Sequence, residues 1–187
     1  MFIQTEPTPN PETLKFLPGR TVMEDGVADY RDGGTASGSP LAQRLFAVDG
    51  VTGVFLGADF ISVSKDATPW PHLKPAVLGA IMEHYLSGDP VVIDGAVEAA
   101  EPEGEEFLEE DAATVAMIKE ILDERVRPAV ANDGGDIVFR SYRDGVVHLS
   151  MRGACAGCPS STMTLQMGIQ NLLRHFVPEV REVRPVA

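Results

Sequence analysis

Cysteine is nearly absent from this chain. Two occur among 187 residues, and both fall within one ten-residue stretch near the C-terminus. Two cysteines build no disulfide framework, so a reducing compartment is expected. Basic charge is also scarce. Fifteen Lys and Arg stand against 28 Asp and Glu, a net charge of −13, which excludes the footprint of a nucleic-acid binder. No apolar run is long enough to span a bilayer, so no membrane association is expected. Residues 1–7 carry neither a basic region nor an apolar core and are not Arg-rich. That predicts neither a secretory signal nor an organellar transit peptide, and hence a soluble, cytoplasmic protein. What is present is ordinary for a globular protein: 44% hydrophobic and 23% charged residues, at a length that suits one large domain or two small ones.

The charge is unevenly spread. Residues 1–93 carry 6 basic and 11 acidic side chains, residues 94–111 carry 9 acidic and none basic, and residues 112–187 carry 9 basic and 8 acidic. The middle stretch repels itself and has little apolar surface to bury, so it reads as an extended, flexible acidic linker between two small α/β domains. Phe107-Leu108 is the apolar contact such a tether would offer to a basic partner. The whole is expected to be α+β.

In the first domain, short strands are expected over 2–5 and 13–17, separated by the turn-rich Pro7-Thr8-Pro9-Asn10-Pro11. Residues 19–40 read mostly as loop. Ser39-Pro40 opens a short helix bearing Leu41, Leu45 and Val48. A hairpin pattern follows over 51–56 and 60–64. A long helix is expected over 71–86, with Leu73, Val77, Ile81 and Tyr85 in one buried row and Leu78, Met82 and Leu86 in the next; Gly88 closes it. His72 and His84 read as surface or core residues, and no catalytic constellation is visible.

In the second domain, Asp111 is a candidate N-cap, and Val115, Ile118, Leu122 and Val126 form a helical stripe that Pro128 kinks or ends. Asn132-Asp133-Gly134-Gly135-Asp136 reads as turn chemistry. Strands over 137–142 and 146–151 flank Arg143-Asp144-Gly145, a tight hairpin signal. His148 is expected to face solvent or a pairing partner, and Met151, Met163 and Met167 to lie in the core. A helix bearing Leu165, Ile169, Leu172 and Phe176 ends at Pro178. A last strand near 180–184 completes the order α-β-β-α-β.

The chemistry concentrates where the second strand meets that helix, in Gly153-Ala154-Cys155-Ala156-Gly157-Cys158-Pro159-Ser160-Ser161-Thr162. Pro159 suits the first helical position, which puts Cys158 near the N-cap. The helix end offers unpaired N–H groups and partial positive charge, both favouring a thiolate, the species that ligates a soft metal. Gly153 and Gly157 let backbone amides approach sulfur. Cys155 and Cys158 are therefore the candidate metal and cofactor ligands, and an iron–sulfur cluster is the leading cargo. Such a site wants four ligands, and one chain offers two thiols. A closed four-thiolate shell then needs a symmetric dimer, each copy giving Cys155 and Cys158. Three other readings share the CxxC: a thiol–disulfide oxidoreductase, a structural zinc shared by two chains, and an inert pair. The loop lacks the Trp and the Gly-Pro pair of the thioredoxin type.

These residues resemble a known family. Arg127-Pro128, Asp133-Gly134-Gly135-Asp136 and the loop from Gly153 to Ser161 are similar to the C-terminal domain of the NifU-like, or Nfu-type, iron–sulfur proteins. Phe2-Ile3-Gln4-Thr5-Glu6-Pro7-Thr8-Pro9-Asn10-Pro11 and Leu14-Lys15-Phe16-Leu17-Pro18-Gly19 resemble the N-terminal domain of its mitochondrial and α-proteobacterial members. The resemblance implies a scaffold or carrier and no enzyme. It implies a [4Fe–4S] cluster bound between two subunits by Cys155 and Cys158, received from an upstream donor and passed to client apoproteins. A [2Fe–2S] cluster or zinc are the alternative occupants. It implies a bacterial cytoplasmic protein, or a mitochondrial matrix protein if the chain is a processed eukaryotic form.

Overall fold

The computed structural model describes residues 1–94, 105–156 and 159–186, with the backbone alone at 159–161. The chain divides into two compact units, Met1–Ala100 and Glu101–Ala187. No helix among the described residues is long and apolar enough to cross a membrane.

The first unit is a five-stranded antiparallel sheet with two helices packed on it. Strands β1 (Gln4–Pro7), β2 (Thr13–Leu17), β3 (Ala28–Tyr30), β4 (Val51–Leu56) and β5 (Ile61–Lys65) stand in the order β1-β2-β5-β4-β3. Helix α1 (Pro40–Phe46) begins at Ser39, whose hydroxyl accepts the Ala42 N–H at 3.1 Å and donates to the Val91 carbonyl at 2.6 Å. Helix α2 (Trp70–Ser87) lays Leu73, Val77 and Ile81 against Phe16, Leu41, Leu45, Leu56 and Ile61.

Two expectations fail here. Strand β3 lies inside the segment read as loop; its three residues are too few to show an alternating pattern. The second apolar row of α2 is buried only in part: Leu78 packs against the core, while Met82 is 39% and Leu86 85% exposed. Only one side of α2 meets the sheet, and His84, fully buried, occupies that side instead.

In the second unit, α3 (Ala112–Ile121) runs through a π-turn at Leu122–Val126 into α4 (Arg127–Asn132). Pro128 neither ends nor sharply breaks this segment. Its ring and missing N–H are accommodated by the widened turn before it, while Val115, Ile118, Leu122, Val126 and Val130 all stay buried. Asp111 makes no side-chain cap; it closes a 3₁₀ turn, its N–H bonded to the Leu108 carbonyl at 2.8 Å.

Strands β6 (Gly135–Arg143) and β7 (Val146–Gly153) form the expected hairpin. Asp144 (φ 50°) and Gly145 (φ 79°) both take the left-handed conformation that a two-residue turn between twisted strands requires. Ile137 pairs with Met151 and Phe139 with Leu149, which puts one apolar face on the helices. Helix α5 (Pro159–Phe176) then crosses over to β8 (Glu182–Val186), which pairs parallel to β7. Its buried stripe runs through Ile169 and Leu173, with Leu165 and Leu172 partly buried against the same core and Val177 buried just past the helix end; Phe176 is 39% exposed.

The end of the acidic stretch belongs to this unit. Glu106 lies against the edge of β6: its N–H donates to the Arg140 carbonyl at 3.0 Å, and its carbonyl accepts the Tyr142 N–H at 2.9 Å. Lys119 Nζ holds Glu105 at 2.6 Å. Local charge composition carries no trace of these non-local bonds, so the stretch read as linker is secured from Glu105 onward.

Candidate functional site

Cys155 lies in the connection between β7 and α5, where a parallel β-α-β crossover leaves its sheet. Three neighbours fix the connection. The Ala154 N–H donates to the Gly134 carbonyl at 3.2 Å, and the Ala156 N–H to the Gly153 carbonyl at 3.1 Å. From the first turn of α5, the Thr162 hydroxyl donates to the Cys155 carbonyl at 3.1 Å. The loop is thus tied to the start of β6, to the end of β7 and to the helix that follows.

Gly135 makes this closeness possible. It pairs with Gly153 across the hairpin, and a Cβ at position 135 would stand 2.6 Å from the Arg152 carbonyl oxygen and 2.8 Å from Cys155 Sγ. Real Cβ atoms do not approach so near, so the Cys155 thiol rests on the bare backbone of a glycine.

Asp136 anchors the same strand end. It is 4% exposed, and its carboxylate accepts two hydrogen bonds from Arg127, Nε to Oδ1 at 2.9 Å and Nη2 to Oδ2 at 3.0 Å. Arg127 Nη1 also donates to Asp123 at 3.1 Å. A bidentate pair of this kind fixes geometry as well as charge, and it ties the start of α4 to the start of β6. Sequence reasoning took Asp136 for turn chemistry. The partner nine residues earlier sits on a different element, and no helical or strand period links the two.

Cys155 is a free thiol, 7% exposed, and belongs to the hydrophobic core of the second unit. Burial pushes it up to about 12, and the nearby carboxylates of Asp133 and Asp136 push the same way. At Cys155, burial acts against the thiolate expected beside a helix end; Cys158, the residue placed near the N-cap, lies outside the described residues. The Cys155 thiol is a poor nucleophile at neutral pH. Among the described residues, no three His, Cys, Asp or Glu side chains gather to hold a metal ion.

Cys158 lies outside the described residues, as does Gly157. Of the other residues weighed, Met151 is buried as expected, whereas Met163 and Met167 are 63% and 59% exposed. His148 is half-buried, its Nδ1 paired with the Ser141 hydroxyl at 3.0 Å.

Comparison with known proteins gives this geometry its context. The family model described as "Scaffold protein Nfu/NifU N terminal" matches residues 3–88, and the one described as "NifU-like domain" matches residues 118–184. An Arabidopsis thaliana protein named "NifU-like protein 5, mitochondrial" is 49% identical over 186 residues, covering 98% of this chain and 67% of its own length. The chain belongs to the NifU-like, Nfu-type family.

A Drosophila sechellia member, named "NFU1 iron-sulfur cluster scaffold homolog, mitochondrial", is 53% identical over 189 residues. That alignment takes in 100% of this chain, which spans 65% of the relative's length. A Saccharomyces cerevisiae NifU-like protein, solved by NMR in solution, has a TM-score of 0.45 and 26% identity, over 49% of this chain and 84% of its own. Both family domains follow one another here in an α+β chain, as the sequence resemblance implies.

Proposed function

We propose that this chain is an iron–sulfur cluster scaffold and carrier, which holds a [4Fe–4S] cluster between two copies through Cys155 and Cys158 and delivers it to apoproteins. The observation that carries this reading is the seat of Cys155. It sits on a glycine-lined loop between β7 and α5, in a family with relatives named as iron–sulfur scaffolds. The cluster is cargo, received from an upstream donor, and no catalytic residue is assigned. Four thiolates complete the shell of a cubane cluster, and this chain has two cysteines, so the second pair comes from a second copy. A site shared in this way opens by subunit separation, as a carrier requires. A reducing compartment suits the two thiols, either the matrix of the mitochondrion, the organelle that the relatives' names give, or a bacterial cytoplasm.

The test is anaerobic reconstitution of the reduced full chain with iron and sulfide, followed by metal analysis and mass measurement. About four iron and four sulfide per dimer, with a broad visible absorption band, is the expected result. Cys155→Ser and Cys158→Ser each leave one thiol per chain and should lose stable cluster binding while the chain stays folded. A single-cysteine variant holding a full cluster per dimer would overturn the assignment. Zinc in place of iron, or a colourless monomer with a reducible Cys155–Cys158 disulfide, would replace it with a structural zinc dimer or an oxidoreductase.

A further inference from the structure

We propose that the face of the β6-β7-β8 sheet turned away from its helices docks a short, extended, acidic segment of another protein. Docking there needs no bound cluster.

Strand alternation builds this face. Ile137 and Phe139 of β6, Val147, Leu149 and Met151 of β7 and Val183 of β8 belong to the hydrophobic core, so the residues between them point the other way. A bulge changes the count in β6. The register shifts between Phe139 and Ser141, and the core is regained only at Tyr142, so Arg140 and Ser141 both fall on the open side. Ser141 pairs with His148 and His148 with Arg184, which sets Arg140, His148 and Arg184 in one row across all three strands. Arg143 and Arg152 lie on the same face toward its two ends.

Four of the nine Lys and Arg of residues 112–187 thus share one sheet face. The acids on that face are already held. Arg184 donates to Glu182 from Nε and Nη2 at 3.0 Å each, and Arg127 holds the buried Asp136. One cation lacks an acceptor: Arg140 Nη1 is buried and has no hydrogen-bond partner. Leaving a charged donor buried and unpaired is costly, and an arriving anion removes that cost.

The chemistry of the row selects the anion. A guanidinium fork matches a carboxylate, and this chain uses that match twice already, in Arg127 with Asp136 and Arg184 with Glu182. Shape selects the rest. Three strands set the row about 10 Å long, room for a few charges and no more. An extended segment presents every second side chain to one side, so alternate acids can meet a flat face. Glu105 and Glu106 show an acidic stretch accepted at the rim of the same sheet, Glu106 pairing through its backbone with Arg140 and Tyr142.

The test uses the full chain free of metal and a fluorescein-labelled octapeptide of alternating Glu and Thr, with binding read by fluorescence anisotropy. The peptide should bind, and more weakly as salt rises; its counterpart with Gln for Glu should not bind. Arg140→Met should raise the dissociation constant about tenfold. Its melting temperature should equal or exceed the parent's, because the Nη1 group removed has no partner. Arg174→Gln takes the same charge from an exposed position on α5 and should leave binding at the parental level. If Arg140→Met binds as the parent does, or if Arg174→Gln weakens binding as much, the face is no docking site and the proposal falls. A parent that binds no peptide overturns it as well. Should binding then appear in a variant carrying Glu98→Gln, Glu101→Gln and Glu103→Gln, the occupant is the chain's own acidic stretch and not another protein. Each of these failures leaves the cluster reading standing, since no iron enters the measurement.

Discussion

At the scale of single residues, the Cys155 site depends on an atom that is missing. Gly135 brings its Cα against Cys155 Sγ and the Arg152 carbonyl, where any Cβ would overlap backbone that cannot turn away. Gly135→Ala should therefore destabilise the second unit by about 1–3 kcal/mol, the usual cost of forcing a methyl group into a filled space. The strain should be relieved by displacement of the Cys155 loop, so iron bound after reconstitution should drop more than stability alone accounts for. Chemical denaturation and iron content on the same sample separate the two effects. An alanine variant with parental values for both would show that the loop shifts freely and that the glycine is not needed. The sequence marked this glycine only as part of a turn, because the contact joins residues twenty positions apart.

At the scale of elements, α2 carries the clearest liability. His84 is fully buried, and neither ring nitrogen has a hydrogen-bond partner. Burial holds it below its ordinary value of 6.5; the guanidinium of Arg44 adds to this and the carboxylate of Asp89 opposes it. The unfolded chain therefore takes up the proton first as pH falls, and the folded state loses stability with falling pH once below 6.5. Above that value the contribution is fully present. Urea denaturation of the parent and of His84→Leu at pH 7.5 and pH 5 should show a smaller loss in the variant. Equal losses would assign the acid sensitivity to carboxylates alone. The helix was legible in sequence to within a residue at either end, through its apolar spacing and Gly88. Which row faces the sheet was not, since α2 is apolar on more than one side and only packing against Phe16 and Leu41 decides. The hairpin of β6 and β7 was readable because alternation and turn residues coincide there, and β4 because a turn follows its apolar run. Strand β3 exists through its pairing with β4 and leaves no local pattern, whereas the π-turn at Leu122–Val126 directly precedes Arg127-Pro128, which the sequence marked only as a kink or an end.

At the scale of the molecule, the boundary of the second unit lies earlier than charge composition suggests. Nine acidic residues in a row of eighteen read as tether, yet Glu105 and Glu106 are held by Lys119 and by the backbone of Arg140 and Tyr142. β6 is an edge strand, and Glu106 caps part of that edge, which would otherwise present open N–H and C=O groups to other chains. A fragment of 101–187 should therefore be more stable than one of 112–187. Two partly exposed backbone hydrogen bonds and one half-exposed ion pair together are worth about 1–2 kcal/mol. The shorter fragment, with its edge uncovered, should also self-associate more readily at high concentration, before any iron is added. Thermal melts and sedimentation of the two fragments, free of metal, measure both effects. Both fragments keep Cys155, Cys158 and α5, so both should bind cluster on reconstitution without residues 1–93. A longer fragment no more stable than the shorter would mean that the acidic segment rests on β6 without holding it. Cluster binding that strictly required the first unit would place part of the site there, against the assignment of the cluster to Cys155 and Cys158 alone.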